Sequence, residues 1–156
     1  INVGVHKILD RGGEFTTKVD ANGNVKIAVK KAFVETVFND EHFYIDEEYE
    51  CELPMGKMPG VPFHKDASDS LKIAVESFVR LNGGEGAVEK IVSSYKEKDI
   101  LTLLALIPRV PQLQRQILFQ EISNHFPPPE SITRAGIIRL DKEMLYKWWE
   151  EIEWQL

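Results

Sequence analysis

Phe15-Thr16-Thr17-Lys18-Val19-Asp20-Ala21-Asn22-Gly23-Asn24-Val25-Lys26-Ile27-Ala28-Val29 is the stretch from which the fold is read. Phe15, Thr17 and Val19 alternate to one side, and Val25, Ile27 and Val29 do the same, which is the period of a half-buried strand. Between them Asn22-Gly23 accepts the positive φ of a hairpin turn, since glycine has no Cβ to clash there. A β-hairpin over residues 14–30 follows.

Downstream, Val29, Phe33 and Val37 recur every four residues beside Val34 and Phe38, the spacing of a short helix over 30–38, although the β-branched content also allows a strand. Beyond the acidic stretch 39–42, Tyr49, Cys51 and Leu53 alternate with Glu48, Glu50 and Glu52, predicting a strand with an outward face of glutamates. Leu53-Pro54-Met55-Gly56-Lys57-Met58-Pro59-Gly60-Val61-Pro62 carries three prolines and two glycines, so it reads as a stiff loop joining two halves.

Behind it the periodicity is helical. Asp66 and Asp69 read as a capping start before Leu71, Ala74, Val75 and Phe78, with Asn82-Gly83-Gly84 as the close. A second helix carries Ala87, Val88, Ile91, Val92 and Tyr95. A third, capped by Asp99, carries Ile100, Leu103, Leu104 and Ile107 and ends at Pro108. Pro111 opens a fourth with Leu113, Ile117, Leu118 and Ile122 as its apolar residues. Pro127-Pro128-Pro129 imposes an extended stretch, and Asp141 caps a last helix whose stripe is Met144, Leu145, Trp148 and Ile152. The fold class is α+β: a small N-terminal β-hairpin and sheet region, residues 1–62, followed over 63–156 by a bundle of four to five short helices, together one compact module. No residue pattern repeats along the helices.

The 156 residues suit one domain, and 43% hydrophobic with 28% charged residues is ordinary globular usage. A net charge of −6 and a pI of about 5.3 argue against nucleic-acid binding, which draws its affinity from a basic surface. The longest apolar run, Leu103 to Ile107, is five residues and far too short to span a bilayer. A single cysteine, Cys51, excludes an internal disulfide and fits an intracellular, reducing compartment. The first residue is Ile1 rather than Met, which reads as a processed form or a fragment and leaves any upstream targeting segment out of view.

Asp20-Ala21-Asn22-Gly23-Asn24 spaces oxygen ligands as a calcium loop does, but no acid follows through Val34 to complete it, so the turn reading stands. Cys51 lies between Glu50 and Glu52, whose charges oppose a thiolate, and on an apolar face, so it reads as a small core residue rather than a nucleophile paired with His42, His64 or His125. The four histidines, His6 included, show no metal-ligand spacing, and neither glycine cluster fits a phosphate loop; no metal and no cofactor is expected.

The densest charged stretch, Asp40, Glu41, Asp46, Glu47, Glu48, Glu50 and Glu52, is interleaved with His42, Phe43, Tyr44 and Tyr49. It reads first as a solvated face and second as a docking surface for a basic protein, with Tyr44, Tyr49 and Glu47 as contacts. In the last helix Trp148 belongs to the core stripe, while Trp149 lies about 100° away and is the candidate surface contact. The sequence therefore points to a non-enzymatic interaction, regulatory or assembly module, the alternative being a hydrolase whose carboxylates and His42 or His64 come together from distant positions.

Overall fold

The computed structural model describes residues 2–3, 5–81 and 86–156. The chain divides into two compact units, Ile1–Lys65 and Asp66–Leu156.

The first unit holds β1 (Asn2–Val3), β2 (His6–Leu9), β3 (Glu14–Val19), β4 (Val25–Lys31), β5 (Phe33–Phe38), β6 (Glu41–Asp46), β7 (Tyr49–Leu53) and β8 (Phe63–His64). They form two antiparallel four-stranded sheets, β1-β2-β5-β6 and β3-β4-β7-β8. The hairpin is present as read, with Val19 opposite Val25. In its turn Asp20 Oδ1 accepts the amides of Asn22 and Asn24, at 2.8 and 3.0 Å, and Gly23 alone takes a positive φ, +83°. Asn22 thus shapes the turn without itself entering the left-handed region.

Val25, Ile27 and Val29 are buried, as are Tyr49, Cys51 and Leu53 on β7. Their counterparts Thr17 and Val19 are exposed, because β3 is the edge of its sheet. The glutamate face also forms, with Glu50 drawn 3.1 Å from Lys26.

Residues 33–38 form a strand, not a helix, bonded between β2 and β6. A spacing of four is an even number, so Phe33 and Val37 share one face of a strand just as they share one face of a helix. The β-branched Val34, Thr36 and Val37 favour the strand, and Asn39-Asp40 at φ 49° and 63° supplies a two-residue hairpin turn into β6.

The second unit contains α1 (Asp69–Arg80), α2 (Ala87–Ser94), α3 (Ile100–Leu106), α4 (Gln112–His125), α5 (Arg134–Ile138) and α6 (Lys142–Gln155), with short 3-10 turns at Glu97–Asp99 and Ile107–Arg109. Leu71, Ala74, Val75 and Phe78 are the buried residues of α1, as its spacing predicts. Its cap is Ser68, whose hydroxyl accepts the Leu71 amide at 3.1 Å, rather than Asp66. The expected close at Asn82-Gly83-Gly84 lies outside the described residues. Asp99 precedes α3 but spends a carboxylate oxygen on the Lys96 amide, 2.9 Å away. Helix α5, capped by Thr133, is absent from the sequence reading because five residues give too short a window for periodicity.

Asp141 caps α6 as expected, accepting the Met144 amide at 3.1 Å. Trp148 is fully buried, donating its indole N–H to the Phe126 carbonyl at 3.3 Å and packing on Phe119. Trp149 is buried too, 8% exposed. An inward stripe on a globular helix is about 100° wide, so Leu145, Trp148, Trp149 and Ile152 all fit within it, and the 100° between the two tryptophans does not carry the second to the surface. Among the described residues no helix is long and apolar enough to cross a membrane.

Candidate functional site

Register decides which side chains gather on the first sheet. Leu9, Glu35 and Tyr44 stand in one row, Lys7, Val37 and His42 in the next, and Phe33 with Asp46 in a third, all on the face opposite the buried Ile8, Val34, Thr36 and Ile45. At the centre of this face Glu35 is 6% exposed, and its carboxylate is fully engaged. Arg11 donates from Nε and Nη2 to Oε2, at 3.0 and 2.8 Å, and His42 bonds Oε1 through Nδ1. Arg11 reaches Glu35 from a loop that presses on the β4–β5 corner, where a Cβ on Gly13 would sit 2.8 Å from the Lys31 carbonyl oxygen.

Burial alone would raise the Glu35 pKa, but the hydrogen bonds from His42 and Arg11 and the Arg11 charge outweigh it and hold the carboxyl below its ordinary value. An ionised carboxylate only accepts, so His42 must carry its proton on Nδ1 in this bond, which leaves Nε2 available on a half-exposed ring. A carboxylate orienting an imidazole in this way is half of a general-base arrangement.

The other histidines are placed differently. His64 is buried edge-on to Tyr49 with Glu48 3.4 Å from Nε2. His125 Nε2 lies 2.8 Å from the Tyr95 hydroxyl, which donates to Glu121 Oε1 at 2.6 Å. Burial first, then the Glu121 carboxylate, push the Tyr95 hydroxyl well above its usual range, so it stays protonated and ties the end of α2 to α4. His6 gives Nε2 to the Pro54 carbonyl and stacks on Phe38. Cys51 is buried, its thiol directed at the Gly60 carbonyl 3.3 Å away. Among the described residues no three His, Cys, Asp or Glu side chains gather in a way that holds a metal.

The candidate contact residues do not come together. Tyr44 is half-buried beside Glu35 and edge-on to Phe33, and Glu47 is exposed in the turn after β6. Tyr49 is 2% exposed and lies in the other sheet, and the buried Trp149 belongs to the second unit. The acidic run is dispersed as well: Asp40 and Glu41 lie at one end of β6, Glu47 and Glu48 at the other, and Glu48 is held by Lys65, whose hydrogen bond and charge lower its pKa.

Part of the apolar surface of α4 is exposed. On α4 the buried residues are Leu118, Phe119 and Ile122, whereas Leu113 is 72% and Ile117 45% exposed. At 100° per residue Leu113 and Ile117 lie on the side of the helix away from Leu118 and Ile122. Apolar residues on both sides of α4 hid this in the sequence; with two candidate stripes, spacing alone does not say which faces inward. Comparisons with protein-family models, with curated proteins and with solved structures find nothing that matches this chain.

Proposed function

We propose that this chain is a non-enzymatic protein-interaction module, regulatory or part of an assembly, and that a partner docks on the Leu113–Ile117 ridge of α4. The observation that carries this reading is the exposure of two large aliphatic side chains one helical turn apart, on a face that the packing of α4 does not use. The charge of −6 and the exposed Asp40, Glu41 and Glu47 support a partner that is basic overall, and the single buried thiol supports an intracellular setting. Affinity capture with quantitative mass spectrometry tests the reading. Proteins held by the wild-type chain and by Tyr44→Ser should be lost with Leu113→Lys/Ile117→Lys, and equal capture by all three would refute it.

The second reading, a hydrolase, draws support from the Glu35–His42 pair alone. It predicts hydrolysis of an activated ester that falls at least tenfold in His42→Ala and in Glu35→Gln, since removing an oriented base typically forfeits two or more orders of magnitude. No difference between these variants and the wild type would remove it.

A further inference from the structure

Beside α4 lies a groove of about 540 Å³, lined by Gln112, Arg115, Gln116, Arg134, Ala135, Ile138 and Arg139. Three guanidinium groups and no carboxylate line it, in a chain whose net charge is −6. Arg115 is fixed: its Nε donates to the Val110 carbonyl and its Nη1 to the Ile138 carbonyl, both at 2.9 Å. Those two bonds leave its Nη2 unused and orient the guanidinium before any ligand arrives. Arg134 lies over the Phe119 ring, with only a 3.5 Å contact to the Gln120 amide oxygen. Arg139 has one loose acid, Asp141, at 3.6 Å. Like charges gathered around one space repel one another, and an anion placed among them removes that repulsion and gains charge-assisted hydrogen bonds.

We propose that this groove binds a small organic phosphate. A carboxylate offers two oxygens in one plane and is satisfied by one or two forks, whereas a phosphate group presents oxygens tetrahedrally and accepts from arginines approaching along different directions. Here the three arginines come from α4, from the first residue of α5 and from the residue that follows α5. The volume falls in the range of small-molecule sites and exceeds what a bare phosphate fills, leaving Ala135 and Ile138 to contact an apolar body and the carboxamides of Gln112 and Gln116 to meet polar atoms. This goes beyond the protein-interaction reading and stands without it, since the ridge and the groove use different side chains.

Inorganic pyrophosphate is the probe, added to the full chain in a thermal melt and in titration calorimetry, with potassium sulfate and potassium chloride at matched ionic strength beside it. At about ten times its Kd, pyrophosphate should raise the Tm by about 3 to 6 °C. Arg134→Gln/Arg139→Gln should weaken its binding at least tenfold. Arg139→Gln alone, at an exposed side chain whose removal leaves the Phe119 contact intact, should weaken it several-fold and guards against misfolding of the double variant. Absence of a shift, an equal shift with sulfate or chloride, or equal binding by the arginine variants would each overturn the proposal. So would binding of a phosphoserine peptide without binding of pyrophosphate, which would make the groove a peptide site.

Discussion

The two units solve the same problem by different means. In the first, each passage from one sheet to the other turns on a backbone in the left-handed region: Gly12 between β2 and β3, Ala32 between β4 and β5, Glu48 between β6 and β7. The hairpin turns at Gly23 and at Asn39-Asp40 do so as well. In the second unit the described residues include only Gly86 and Leu140 in that region, and order comes from caps and from the stripes that bury Leu71, Phe78, Ile91, Leu103, Leu118 and Trp148. A sheet protein must reverse direction every few residues and is constrained at its corners, while a helical one reverses rarely and is constrained by side-chain volume. The first unit should therefore be most sensitive at small residues and the second at large ones.

The largest effect belongs to the helical unit. Trp148→Ala should cost about 3 to 5 kcal/mol, and Trp149→Ala, now placed in the same stripe, about the same, both read by denaturant unfolding of the purified variants. A loss at Trp149 below about 1 kcal/mol would show that the stripe is narrower than its burial indicates.

The corners come next. Gly13→Ala sets a methyl 2.8 Å from the Lys31 carbonyl oxygen and 3.1 Å from that of Phe33, backbone atoms that do not yield easily, and should cost about 1 to 3 kcal/mol. Gly23→Val, at φ +83° with only the flexible end of Met55 nearby, should cost on the order of 1 kcal/mol through backbone strain. If both are neutral, the corners are not what holds the sheets, and the contrast between the units fails.

A smaller, pH-dependent effect belongs to Glu35. Its folded pKa is depressed, so its contribution is present above the unfolded carboxyl pKa and disappears as the pH falls through the folded value. Stability should decline below about pH 4.5 more steeply in the wild type than in Glu35→Gln, measured by urea unfolding at a series of pH values. Parallel curves would mean that Arg11 and His42 do not stabilise the ionised form.

Much of this was legible because it rests on local chemistry. The hairpin at residues 14–30, the alternation of Tyr49, Cys51 and Leu53 and the buried set on α1 each follow from a period and a turn or cap. Residues 33–38 misled because a four-residue spacing satisfies both periods, and what settles them, pairing with β2 and β6, is not local. Glu35 gave no signal at all. It lies in the sequence among Val34, Thr36 and Val37, and its partners stand 24 and 7 residues away. The three arginines of the groove are equally silent, since α5 is too short to read and the sequence says nothing of how α5 sits against α4.

The proposed function depends most on α4 having an apolar ridge that folding does not use, and equilibrium unfolding of Leu113→Lys beside Leu118→Ala measures this directly. The two positions lie on the same helix, one 72% exposed and the other fully buried. Leu118→Ala should cost about 2 to 5 kcal/mol, and Leu113→Lys should stay within about 0.5 kcal/mol of the wild type. Equal losses at the two sites would put Leu113 in the core and leave the protein without the docking ridge proposed for it.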